Sequence, residues 1–246
     1  MQHDETLLNE NLIYSSSKMF ERRRRIMEET RLLVAEQGHD GFNIRELCKR
    51  ANVAPQTVYK AFESKERLVA ISIRQHFHSY TLNQVFTNDP ATLPGVIEHL
   101  MLSDESMRSV SQYSNAIVSI YFSQTADRDL RDAASYNVMS TIKPWVAALR
   151  QAGSLRRGVT AEAFADAIAH LLFGVSLEWC LGNISDEDFL FKKLEVLLVY
   201  AAGATRGGAQ KDITRYLSDL FGPRTLIMEI QKSLSTKGRA PKKRKS

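Results

Sequence analysis

Between residues 43 and 62 the apolar positions recur with a helical period, stop at a turn and then recur again. Ile44, Leu47, Cys48 and Ala51 fall at i, i+3, i+4 and i+7, one buried face of a short helix. Asn52 supplies a turn residue that tolerates left-handed backbone, and Val53 seeks the interior again. A second helix opens with Pro55 in its first turn, where a missing N–H costs little. Its expected buried positions are Val58, Ala61 and Phe62, leaving Gln56, Thr57, Tyr59 and Lys60 outward. Ahead of this pair Phe20, Ile26, Leu33 and Val34 stripe a longer helix from about Ser17 to Gln37, ended by Gly38. Behind it Ser64 is a good N-cap for a fourth helix running through Ile71, Ile73 and Phe77 to about Phe86.

The remaining pattern stays helical, with no convincing strand alternation, so the expected fold class is all-α. Helices are expected at about 92–102, 105–124, 127–152, 160–182, 186–206 and 209–235. Expected breaks include Ser103-Asp104, Gly153-Ser154 and Gly182-Asn183; Gly222-Pro223 should kink the last helix, and Pro144 should bend the one that contains it. The pair 160–182 and 186–206 is the most apolar part, with Ala163, Ala167, Gly174 and Ala202 allowing close helix approach.

Four polar or amphipathic groups on an exposed second helix suit a DNA major groove. Gln56 carries an amide that pairs with adenine edges, Pro55 and Thr57 offer contacts beside it, and Tyr59, Lys60 and Lys65 suit phosphates. Asn43 and Arg45, at the start of the first motif helix, are placed to reach the flanking backbone. In the run Arg22–Arg25, Arg22 and Arg25 are candidates for an arm on phosphate or a neighbouring minor groove; the alternative is a solvated charge run.

The whole block RRRRIMEETRLLVAEQGHDGFNIRELCKRANVAPQTVYKAFESKERL (22–68) resembles the DNA-binding domain of the tetracycline-repressor (TetR-type) family of bacterial regulators. It shares an amphipathic first helix ending in A-E-x-G, the helix–turn–helix, Tyr-x-x-Phe, and Ser-Lys-Glu opening a fourth helix. Beyond that block the resemblance is one of layout. It departs in three places: Ala54 stands where a capping Ser or Thr is usual, Asn52 replaces the common turn glycine, and His39 replaces a frequent aromatic. The resemblance implies an N-terminal three-helix DNA-binding domain and a helical effector-binding and dimerisation domain. It also implies a homodimer whose interface uses the late helix pair, with Phe164, Ile168, Leu171, Val175, Leu190, Leu194, Leu197 and Ala201 as candidates. The corresponding division is 1–16 as a flexible extension, 17–70 as DNA-binding domain, 71–235 as effector and dimer domain, and 236–246 as a disordered basic tail.

Charge agrees with a DNA-facing end. Residues 1–80 carry 13 Lys+Arg against 11 Asp+Glu, 81–236 carry 14 against 17, and 237–246 carry six and no acid. The terminal PKKRK suits salt-dependent, sequence-independent DNA affinity, or else is a solvated tail without a role. No uninterrupted apolar run of 18 residues occurs, and Met1–Glu10 is polar and acidic, so neither a membrane span nor a signal peptide is expected. Cys48 and Cys180 lie on apolar faces and suit reduced thiols in a cytoplasmic protein. His76 and His78 diverge on a helix and share no metal, and no catalytic or dinucleotide motif calls for a cofactor. A cavity for a small, partly apolar effector is expected among His99, Tyr113, Tyr121, Tyr136, Asn137, Trp145, Phe173 and Trp179. The expected function is a homodimeric repressor released from a palindromic operator by that effector. Two rivals stay open: a DNA-binding adaptor under a protein partner, and an all-helical binder without DNA.

Overall fold

The computed structural model describes residues 17–237; within them the chain forms eleven α-helices and no strand. They are α1 (Ser17–Gly41), α2 (Ile44–Ala51), α3 (Pro55–Phe62), α4 (Lys65–Leu82), α5 (Leu93–Ser109) and α6 (Ser111–Phe122). The series continues with α7 (Arg128–Gln151), α8 (Ala161–Cys180), α9 (Asp186–Ala204), α10 (Gly207–Phe221) and α11 (Thr225–Lys237). The expected 1–16 extension and the basic tail from 238 on lie outside the described residues.

Local chemistry sets most helix ends. α1 is interrupted at Gly38, whose φ of 70° and ψ of 175° are open to glycine alone without strain. Thr92, Asp127, Thr160 and Ser185 each cap a helix by accepting a backbone N–H three residues on. α7 runs unbroken through Pro144.

Two expected boundaries are corrected. Ser103-Asp104 does not break the chain; α5 continues to Ser109 and the break comes at Val110. Asp104 is only 1% exposed and sits 2.9 Å from Arg108 one turn later, so it faces the interior instead of folding back on its own backbone. The expected 209–235 helix is two helices. The carboxylate of Asp219 accepts from Leu226 N and Ile227 N at 3.0 and 3.3 Å and so caps the start of α11.

Two large apolar clusters hold the body together. The first joins Ile26, Leu47, Phe62 and Ile73 of α1–α4 to Tyr113 and Ile120 of α6, Leu130 of α7 and Phe173 of α8. The packing under the helix–turn–helix thus runs on into the body. The second joins α5 and α7–α11 around Ile97, Trp145, Phe164, Leu197 and Ile213. Cross-links tie the first cluster to α4: Ser72 donates to Met27 O at 3.0 Å, and Arg74 pairs with Asp129 of α7 at 2.6 Å. The segment after α4 is pinned by Glu98, fully buried, which accepts from Thr87 N, Thr87 Oγ1, Asn88 N and Asn88 Nδ2 at 2.7–3.0 Å. Burial pushes the Glu98 carboxyl up and these four donors push it down more, leaving it below the usual glutamate value.

Candidate nucleic-acid interface

α2 and α3 form a tight helix–turn–helix because each end has a local reason to stop. Asn43 caps α2, its side chain accepting from Arg45 N at 2.8 Å. Asn52 ends α2 in left-handed backbone (φ 50°), where its N–H and that of Val53 return to carbonyls of the last turn. α3 begins at Pro55 after Ala54, which has extended backbone but no side chain able to cap. Glu63 (φ 68°) ends α3, and Ser64 immediately caps α4 by accepting from Arg67 N at 3.0 Å.

Val58 and Phe62 bury the inner face of α3. Pro55, Gln56, Tyr59 and Lys60 are exposed and Thr57 is half-buried, so the expected reading residues share the outer side. Tyr59 keeps 50% exposure although it is a large aromatic. Ala61, expected inside, is exposed; the short helix buries only one residue per turn. Asn43 and Arg45 are exposed beside α3. Lys65 stands in the first turn of α4, partly over the Phe42 ring at 5.8 Å. A lysine at a helix N-terminus adds positive charge where the first-turn backbone N–H groups already favour an anion.

The arginine run separates into four environments. Arg22 is exposed, Arg23 lies over the Phe62 ring at 4.6 Å, and Arg24 pairs with Glu21 at 3.1 Å. Arg25 donates through Nε to Ala51 O at 2.8 Å, tying α1 to the end of α2. Among the described residues the Arg22 side chain has no ion pair, hydrogen bond or ring contact, while Arg25 has a bracing role. Arg50 adds a second brace, meeting Glu36 at 2.7 Å and Glu46 at 3.2 Å.

The expected effector residues divide. Tyr113, Asn137 and Phe173 line one narrow cavity of about 50 Å³ between α4 and α9, together with His76, Tyr80, Ser106, Ser176 and Lys193. The other five do not reach it. His99 stacks on Phe86 at 3.8 Å, and Tyr121 stacks against the Phe173 ring at 3.8 Å. Tyr136 is 37% exposed, and Trp179 stacks on Phe189 while donating to Asp186 at 2.7 Å. Trp145 packs on Phe164 and borders a separate, wider cleft between α10 and the segment before α5. Aromatic rings beside polar groups served packing in those cases. Lys193 was missed because a lysine in a helix reads as solvent-facing, and its burial needs α5 and α8 in place.

The expected dimer residues are also largely corrected. Phe164, Ile168, Leu194, Leu197 and Ala201 have no exposure at all, and Val175 is buried, so they form this chain's own core. Leu190 is half-buried, and Leu171, at 36%, is the exposed member. The helices keep another face open: Ala163, Ala167, Leu171 and Gly174 on α8, with Val196, Val199 and Gly203 on α9, all partly or fully exposed. α8 is long and apolar enough to cross a membrane by length and composition, yet only 39% of its most apolar window is buried.

Residues 26–70 match the family profile described as bacterial regulatory proteins, tetR family. The chain is 35% identical over 63 residues to the HTH-type transcriptional repressor KstR of Rhodococcus jostii (strain RHA1). That match covers 26% of this chain and 30% of the relative, so it spans less than a third of the relative's length. Among solved structures, the TetR regulator TylP of Streptomyces fradiae superposes with a TM-score of 0.60 at 16% identity, covering 89% of this chain and 98% of that one. A TetR-family transcriptional regulator from Rhodococcus sp. superposes with a TM-score of 0.56 at 20% identity, covering 73% and 98%. At these identities the structural likeness speaks for the fold.

Proposed function

We propose that this chain, whose residues 26–70 match the tetR-family profile, is a TetR-type regulator: a homodimeric, cytoplasmic DNA-binding transcriptional repressor released from its operator by a small molecule. The observation that carries the reading is the outer face of α3. Pro55, Gln56, Tyr59 and Lys60 stand exposed on a helix whose other face is locked by Val58 and Phe62. Gln56 reads a base edge, Pro55 and Thr57 lie against neighbouring bases, and Tyr59, Lys60 and Lys65 hold phosphates. Arg22, Asn43 and Arg45 extend the backbone contacts, and Arg25 contributes by bracing α1.

One α3 reads too few base pairs for specificity, so a two-fold dimer on a palindrome is the natural arrangement. The open, small-residue face of α8 and α9 supports that partner: an apolar helix mostly unburied in its own chain calls for a second apolar surface. Residues 17–70 then act as the reading head and 71–235 as the sensing and pairing body. The lever is α4. It begins at the head, shares the first core with α1, and packs along α7 through Arg74 and Asp129. An effector that prefers one arrangement of α4 shifts the population of head spacings and weakens operator binding by linkage.

The test is the double substitution Gln56→Ala with Tyr59→Ala. Against a duplex selected from a random pool by the wild-type protein, the double variant should lose specific binding in a gel shift. Retained affinity and specificity would remove α3 from the interface.

A further inference from the structure

We propose that the cavity between α4 and α9 binds a monocarboxylate with an apolar body, its carboxylate paired with Lys193. This deepens the effector-responsive reading above and rests on it. Three observations in the cavity wall point the same way.

First, Lys193 is 3% exposed, and its ammonium has poor company. Its hydrogen-bond acceptor is the thioether sulfur of Met107 at 3.3 Å, and it lies over the Phe189 ring at 3.8 Å. A thioether is a weak acceptor, and an ammonium has three donors to satisfy. The nearby carboxylate of Asp104 does not close on it: no Lys193–Asp104 contact falls within 4.0 Å. Asp104 instead meets Arg108 at 2.9 Å, off hydrogen-bond alignment. A buried charge so incompletely paired is costly, and an anion entering the cavity would complete it.

Second, the charge count selects the class of anion. Lys193 with Asp104 and Arg108, the charged groups that act on it, carries one net positive charge when all are ionised; Glu105 and Asp186 act on Asp104 as further negative charges and disfavour a dianion still more. That matches a monoanion, whereas a phosphate dianion would arrive with an uncompensated charge in an apolar chamber. The rest of the wall is mainly apolar, with Phe77, Leu100, Val118, Val138, Leu172 and Phe173 surrounding the space.

Third, the polar side chains Ser106, Asn137 and Ser176 line the same space and offer further contacts to a substituent on the ligand body. The chamber of about 50 Å³ holds a few waters and no such ligand, so entry requires the wall to open. Met107, unbranched and adaptable, sits at Lys193 and is the side chain suited to yield. The wall includes His76, Phe77 and Tyr80 of α4, so a ligand that opens it pushes directly on the helix leading to the DNA-binding head.

The experiment uses the full chain, three probes of equal tail (octanoate, 1-octanol and octyl phosphate), and isothermal titration with DNA release followed on the selected duplex. Octanoate should bind at least about tenfold tighter than either neutral octanol or the phosphate. Lys193→Met should reduce the octanoate preference over octanol to within about twofold. Asp104→Asn removes the competing carboxylate and should strengthen octanoate binding, a gain that damaged folding would not produce. Octanoate affinity should also weaken as pH rises through and beyond about 8, where burial has brought the Lys193 ammonium down, against Asp104, which holds it up, with Arg108 of α5 and Cys180 of α8 as the other groups facing it. Equal binding of octanoate and octanol, absence of octanoate binding, or an unchanged preference in Lys193→Met would each overturn the carboxylate assignment. If all probes bind alike and still release DNA, the effector reading survives its loss. If octanoate binds through Lys193 but leaves DNA affinity unchanged, the site stands and the effector reading falls.

Discussion

Ala54→Ser places a cap on the recognition helix where the chain has none. Ala54 has the extended backbone of an N-cap (φ −74°, ψ 146°) but no side-chain acceptor. The helices on either side of it show what is missing, with Asn43 accepting from Arg45 N at 2.8 Å and Ser64 from Arg67 N at 3.0 Å. Thr57 N already reaches Ala54 O at 2.9 Å, so a serine oxygen would mainly serve the N–H groups of the first turn that still face water. A cap of this type contributes about 1 kcal/mol, and Ala54 is exposed, so the hydroxyl meets no steric obstacle. Pro55 already preorganises the first turn, which places the gain toward the lower end, near ~0.5–1 kcal/mol. For a chain of this size 1 kcal/mol raises the melting temperature by about 2–4 °C if head and body unfold together, which their shared apolar cluster favours. Differential scanning calorimetry at one protein concentration measures it. An unchanged or lowered melting temperature would refute the idea that α3 is under-capped. It would mean that Pro55 alone saturates the start of this helix.

Other outcomes follow from the same geometry. Glu98→Ala leaves two backbone N–H groups and two side-chain donors of the 87–88 turn without their acceptor and should cost about 3 kcal/mol or more, measured by urea titration. Because the Glu98 carboxyl is depressed in the folded protein, its contribution is present above the unfolded glutamate value near 4.5 and is lost as pH falls through the lower folded value; Glu98→Gln should flatten that part of the stability profile. Phe164→Ala should destabilise by about 3–5 kcal/mol, since the ring is fully buried between Trp145 and Tyr200. Val199→Arg, at a site 52% exposed in the monomer, should halve the mass seen by light scattering without lowering monomer helicity; an unchanged mass would place any dimer contact elsewhere. Lys60→Ala should weaken DNA binding evenly across sequences and reduce the logarithmic salt slope by about 1, whereas Gln56→Ala should relax base preference.

The helix–turn–helix was legible in the chain because its determinants are local. A four-residue apolar period, Asn52 in left-handed backbone, Pro55 at a helix start and Ser64 at a cap act within a few residues of themselves, and the structure keeps each of them. The same logic separated outward Gln56, Tyr59 and Lys60 from inward Val58 and Phe62, failing only at Ala61, whose small side chain carries little preference.

Tertiary structure decided what depends on the neighbour across the gap. Both faces of α8 and α9 are apolar enough to be core, and only packing against α5, α7 and α10 determined that Phe164, Ile168 and Leu197 turn inward while Leu171 and Val199 stay open. Asp104 carried a turn signal in the chain, yet it is buried inside a helix, beside its own-helix partner Arg108 and under the influence of Lys193 from α9. Lys193 is the sharpest case. Its sequence neighbours describe an amphipathic helix with a solvent-facing lysine, while Met107, Phe189 and Cys180 enclose it from other turns and other helices. Local backbone and capping forces act over a few residues and can be read along the chain; desolvation is a property of the whole enclosure, and it appears only once the helices have closed around the charge.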